Sequence, residues 1–135
     1  MAGRLIAYSG GTVAVKEYEA RKGEYMEVLE KRQDGICILE LLGRLDSNTS
    51  PEFEKRIFEV IDDGTKSVVV DFTSLDYISS AGLRVLLKAA KELKRSDGKI
   101  VLCSMKDYIK EVFEIAGFVS LFPITSSVID AVREF

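Results

Sequence analysis

From Glu24 onward, short apolar runs alternate with amphipathic stretches, and the spacing of the apolar positions changes from one to the next. Two strand-like runs, EYMEVLEKRQ and ICILELLG, flank Asp34-Gly35. Those two residue types tolerate the positive φ angles of a tight hairpin turn, so the pair predicts two antiparallel strands. In the segment SNTSPEFEKRIFEVIDDG, Phe53, Ile57, Val60 and Ile61 recur at helical spacing. Ser50-Pro51 marks its start, Thr49 and Glu52 have the spacing of a capping box, and Gly64 supplies the stop.

The next run, Lys66 to Phe72 (KSVVVDF), is continuous and β-branched, as in strands buried on both faces. Leu83, Leu86, Leu87, Ala90 and Leu93 form one stripe of a helix ending near Ser96-Asp97-Gly98. Lys99 to Met105 predicts a further strand, and Ser104 with Asp107 repeats the capping-box spacing. A helix follows with Ile109, Val112 and Phe113 inward and Gly117 as its stop. Leu121 to Ile124 reads as a short edge strand because Pro123 interrupts it. A last helix carries Val128, Ile129, Val132 and Phe135. The order β β α β α β α β α predicts a single α/β domain with a mostly parallel sheet and helices on at least one face.

Residues 1–23 have a different texture, rich in glycine and small residues, with one short apolar stretch from Thr12 to Val15. They are expected to form an N-terminal extension, either an extra edge strand or partly disordered, ahead of a domain spanning residues 24–135.

Composition narrows the function classes. A chain of 135 residues that is 47% hydrophobic and 30% charged has the material for one folded core. A net charge of −3 argues against a general nucleic-acid binder, which needs a basic surface to displace counterions. No apolar run reaches the roughly 18 residues that span a bilayer, and the N-terminus lacks a signal-peptide core. Membrane insertion is not expected, and the location expected is cytoplasmic. Cys37 and Cys103 lie inside apolar runs and read as small core residues. With no histidine and two cysteines, the usual zinc sites and any histidine general base are excluded. No metal, cofactor or catalytic residue is assigned, and the chain is not expected to be an enzyme.

The stretch YISSAGLR, Tyr77 to Arg84, stands where a buried strand hands over to an amphipathic helix. One serine of the pair Ser79-Ser80 could simply cap the helix. A nucleophilic elbow is disfavoured, because G-x-S-x-G is absent and no histidine exists to activate the hydroxyl. Covalent modification is the third reading, since a helix N-terminus stabilises a phosphoryl group. Gly82 permits a close approach or is a tolerated cap-region residue. Arg84 points away from the leucine stripe, towards solvent or a partner. Asp71 and Asp76 read as turn or cap acceptors.

The run VVVDFTSLDYISSAGLRVLL resembles the central motif of the STAS domain family, which includes bacterial anti-sigma factor antagonists and cytosolic domains of sulfate transporters. LLGRLDSNTSPEFEKRI is similar to the family's segment leading into its first helix, and GKIVLCSMKDYIKEVFEIAGFVSLFPI to its later part. Together they cover about Glu24 to Phe135.

The resemblance implies a STAS-type sheet with helices packed mainly on one face, and a phosphoacceptor at Ser80, with Ser79 the alternative. Asp46, Ser47, Asn48, Thr49, Ser79, Ser80, Ala81, Gly82 and Arg84 fall where the family meets its partners. One departure is visible: the family usually has aspartate where this chain has Ser79. The function implied is that of an anti-sigma factor antagonist that binds an anti-sigma factor serine kinase, frees a sigma factor and is reset by a serine phosphatase. A monomer or weak homodimer is expected. A scaffold subunit of a larger complex and a nucleotide- or small-molecule-binding domain are the alternatives.

Overall fold

The computed structural model describes the backbone of residues 2–8, 11–17 and 25–135, with side chains from Tyr25 onward. Its elements are β1 (Ala2–Tyr8), β2 (Gly11–Glu17), β3 (Met26–Gln33), β4 (Ile36–Leu45), α1 (Ser50–Asp62), β5 (Ser67–Ile78) and α2 (Ser80–Arg95). Then follow β6 (Lys99–Cys103), α3 (Asp107–Ile115), a 3-10 turn at Val119–Leu121, β7 (Ile124–Thr125) and α4 (Val128–Val132). The strands form one sheet in chain order. Pairings from β1 to β4 are antiparallel and those from β4 to β7 parallel. From β3 onward three of the four pairings are therefore parallel, the arrangement that strand and helix alternation predicts.

Thr12 to Val15 fall within β2, which pairs with both β1 and β3. The residues of the 1–23 segment outside these two strands lie outside the described residues. At the β3–β4 turn both Asp34 (φ 51) and Gly35 (φ 79) adopt positive φ, the geometry of the hairpin expected from that pair.

Side-chain alternation in the central strands builds two cores. Val68, Val70 and Phe72 of β5 face one way, joining Leu39 and Leu41 of β4, Phe53 and Ile57 of α1, Leu86 and Leu93 of α2 and Phe113 of α3. Val69 faces the other way, with Ile36, Ile38, Val101 and Cys103, where α4 covers them through Ala131, Val128 and Val132. Three helices thus cover one face and one short helix covers part of the other. In the larger core, the Phe113 ring meets Phe72 edge-on at 5.8 Å and Phe122 at 6.3 Å, joining α3 and the segment that leads into β7 to β5.

Several elements depart from the periodicity reading. β5 does not end at Phe72 but runs through the polar TSLDY to Ile78, because β4 continues beside it to Leu45. Two register shifts, between Glu40 and Leu42 and between Gly43 and Arg44, accommodate this extension. The segment from Leu121 to Ile124 is the end of a 3-10 turn followed by a two-residue strand. The Ser104–Asp107 capping box does not form: Ser104 has φ 61 and the helix starts after Lys106. In α2, Val85 and Ala89 are fully buried, whereas Leu87 and Ala90 are half-buried. Ile129 is 68% and Phe135 41% exposed, so the last helix packs through its other side.

Both cysteines are fully buried free thiols, and desolvation is the main cause that pushes each up to about 11 from an ordinary value near 9. Unfolding returns them to that ordinary value. Between pH 9 and 11 the unfolded chain therefore loses thiol protons that the folded chain keeps, and stability falls as pH rises through this window. Urea midpoints measured from pH 8 upward should show this decline, and it should be shallower in a Cys37→Ala/Cys103→Ala variant. Phe113→Ala should cost about 3–5 kcal/mol of unfolding free energy in the same assay.

Candidate functional site

α2 begins where β5 ends, and the junction is fastened to the neighbouring strand. The Ser79 amide donates to the Leu45 carbonyl at 2.9 Å, tying the helix start to the last residue of β4. Ser79 holds the N-cap position with an extended backbone, and its carbonyl accepts the Leu83 amide at 3.1 Å. Its hydroxyl makes no capping bond: Oγ is buried, without a hydrogen-bond partner among the described residues. Ser80 is the first helical residue and is exposed. The two hydroxyls therefore differ in kind. Ser80 presents Oγ where free N–H groups and the positive end of the dipole favour an anion, and the first turn of α2 holds no acidic residue that would already answer them.

Gly82 is buried, and a Cβ there would come within 2.8 Å of the Leu45 side chain and 3.0 Å of Ile78. Its missing side chain lets α2 lie against the ends of β4 and β5, which decides for the close-approach reading of this glycine.

The loop after β4 is organised by Asp46. Its Oδ1 accepts the Asn48 amide at 2.9 Å and the Thr49 amide at 3.1 Å, while its carbonyl accepts the Ser50 amide at 2.8 Å. The Thr49 hydroxyl donates to the Arg44 carbonyl at 2.7 Å and accepts the Asp46 amide at 2.9 Å. Committed backwards in this way, it caps no amide of α1, and the Thr49–Glu52 capping box does not form. The Arg44 guanidinium lies 4.2 Å from the centre of the Tyr77 ring and its Nε 3.8 Å from Asp46 Oδ2.

The structure thus brings the two predicted segments together. Ser47, Asn48, Ser80 and Arg84 are exposed, Asp46 and Ala81 half-buried, and Thr49 and Gly82 are interior. Asp71 is buried within β5, not at a turn or cap, and accepts the Thr73 amide at 3.0 Å and the Thr73 hydroxyl at 2.6 Å. Asp76 pairs with Lys106 at 2.6 Å, and that hydrogen bond is the chief cause raising the lysine above its ordinary value.

Beside Ser80 an open groove of about 440 Å³ runs between α1 and α2. It is lined by apolar Pro51, Phe58 and Val85 and by charged Glu54, Lys55, Arg84 and Lys88. Lys88 Nζ is 3.5 Å from Glu54. Phe58, Val85 and Lys88 were not singled out by the motif; the spacing of four between Ser80, Arg84 and Lys88 is the signal that marks one helical face. Among the described residues no cluster of His, Cys, Asp or Glu could hold a metal ion, and no helix is long and apolar enough to cross a membrane.

Residues 27–131 match the model of the STAS domain. The chain belongs to the STAS domain family. BtrV of Bordetella bronchiseptica, a protein assigned as an anti-sigma factor antagonist, is 43% identical over 102 residues, 76% of this chain and 88% of that protein. An anti-sigma factor antagonist structure from Mycobacterium paratuberculosis superposes with a TM-score of 0.77 at 21% identity, over 83% of this chain and 95% of the other. The Bacillus cell fate determinant SpoIIAA in its phosphorylated form does so with a TM-score of 0.64 at 18% identity, over 79% and 97% of the respective chains. These two structures share the fold deduced from the alternation of strands and helices.

Gly82→Val places three carbons against Leu45 and Ile78 and should cost about 1–3 kcal/mol. Amide exchange at Ser79 should accelerate in that variant more than exchange in β6, since the strain falls at the β4–α2 junction.

Proposed function

We propose that this STAS domain is an anti-sigma factor antagonist: a cytoplasmic binding module that engages an anti-sigma factor and is switched off by phosphorylation of Ser80. The observation that carries the reading is the contrast between the two serines. Ser80 offers an exposed hydroxyl at the start of α2, whereas the Ser79 hydroxyl is enclosed. The likeness to BtrV supports the functional class.

In this reading residues 24–135 form the switch and residues 1–23 are an N-terminal extension to it. The domain is a substrate and not a catalyst. Ser80 Oγ attacks the γ-phosphorus of ATP held with magnesium by the anti-sigma factor kinase, the bond to the ADP oxygen breaks, and the serine proton passes to a base on the kinase. The product carries about −1.5 to −2 additional charges on the docking surface, enough to disrupt a complementary contact there. A serine phosphatase resets it. Ser47, Ala81 and Arg84, which line the groove, and exposed Asn48 serve as contact residues, while Asp46, Thr49 and Gly82 act by positioning the loop and the helix. Ser79, standing where the family usually has aspartate, brings no charge beside the acceptor.

Peptide mass spectrometry on protein isolated from its native cell, resting and stressed, tests this. Phosphate should appear on Ser80, vary with condition, vanish in Ser80→Ala and persist in Ser79→Ala. Protein that stays unmodified in every condition, with Ser80→Ala behaving as the parent does, would overturn the switch and leave a scaffold role.

A further inference from the structure

We propose that Arg84 is the counter-ion within the chain for a phosphate on Ser80, so that modification withdraws this cation from the α1–α2 groove. The inference rests on the reading of Ser80 as phosphoacceptor and adds what the phosphate does once it is there.

Ser80 and Arg84 stand four residues apart on the 16-residue α2, and both are exposed. Side chains at that spacing share one helix face, with Cβ atoms about 5–6 Å apart. The acidic group would lie N-terminal to the basic one, the order in which an i,i+4 pair and the helix dipole reinforce each other. A guanidinium can also grip two phosphate oxygens at once, which an ammonium cannot.

Arg84 is available for this role. Among the described residues it has no carboxylate partner; Lys55, across the groove on α1, is likewise unengaged, whereas the other cations around the site are held. Lys88 meets Glu54 at 3.5 Å, Arg44 lies over Tyr77 beside Asp46, and Lys106 meets Asp76 at 2.6 Å. The carboxylates of the neighbouring elements, Glu54 on α1, Asp46 after β4 and Asp76 on β5, are the other halves of these contacts, so none of them holds Arg84 back.

The consequence lies in the groove. Its lining carries three cations, Lys55, Arg84 and Lys88, and one carboxylate, Glu54, a local balance of 3 − 1 = +2 on a chain whose net charge is −3. Before modification Arg84 is free to meet an acidic partner segment. A phosphate carrying about two negative charges, with Arg84 folded back onto it, cancels that local excess. Phosphorylation then acts twice, by repelling an acidic partner and by removing the arginine that attracts it.

The test uses the full chain with phosphoserine installed at position 80 by genetic code expansion, so no kinase is needed. The second phosphate ionisation is followed by ³¹P NMR in the parent, Arg84→Gln and Arg84→Lys. Its pKa should be lower in the parent than in Arg84→Gln by roughly 0.2–0.4, with Arg84→Lys between them. The difference should shrink at high salt, where exposed charges are screened. The Arg84 Nε–H resonance of the parent should also shift when Ser80 carries phosphate, a readout that requires no variant. Identical titrations in the parent and Arg84→Gln, or an Arg84 Nε–H signal indifferent to the phosphate, would overturn the pairing. Because the phosphate is installed directly, absence of phosphorylation in the native cell would sink the functional reading without touching this result, and the converse also holds.

Discussion

The start of α2 is clamped to the end of β4 by a backbone bond from Ser79 to Leu45 and by the contact that Gly82 allows with the Leu45 side chain. Other features of the site depend on this clamp. It requires β4 to continue to Leu45 and β5 to Ile78, well past the apolar run that begins β5. It also brings the Asp46–Ser50 loop beside Ala81 and Arg84, where together they line one end of the groove. A side chain at position 82 would force the helix away from the strand ends and separate the two segments that make up the site.

Polar groups at this junction divide into those that hold the backbone and those left to meet a partner. Asp46 accepts nearby amides and the Thr49 hydroxyl donates to the Arg44 carbonyl and accepts the Asp46 amide, consistent with the need to satisfy polar groups removed from water. Ser80 and Ser47 remain outside on the frame those bonds build. The buried, unpartnered Ser79 hydroxyl is the exception. Among the described residues it has no partner, and leaving such a group unpaired costs about 1–3 kcal/mol. The charge distribution is equally uneven, since an acidic chain presents a basic groove next to the exposed Ser80.

Much of this was legible along the chain. The hairpin at Asp34-Gly35, the alternation of β-branched runs with amphipathic helices and the handover at Ser79-Ser80 are local patterns, and local patterns survive folding when burial agrees with them. The failures have a common physical origin. TSLDY carries few apolar residues, yet it is strand because β4 offers it a hydrogen-bonding edge. The two capping-box spacings were present in sequence and unused in space, because the Thr49 hydroxyl found the Arg44 carbonyl and the chain at Ser104 turned through positive φ. Ile129 and Phe135 matched a helical stripe, but a helix as short as α4 buries only the side that reaches the sheet.

The sequence by itself determined the order of elements, the apolar content of the core, the exclusion of histidine chemistry and the residue types at the helix start, since each follows from spacing or composition. Tertiary structure alone decided which serine is open and which closed, and that, among the described residues, Arg84 has no carboxylate partner while Lys88 is held by Glu54. Those distinctions depend on contacts between segments more than thirty residues apart, such as Leu45 with Ser79 and Glu54 with Lys88. Solvent access and charge pairing are properties of the assembled surface, and local periodicity carries no record of them.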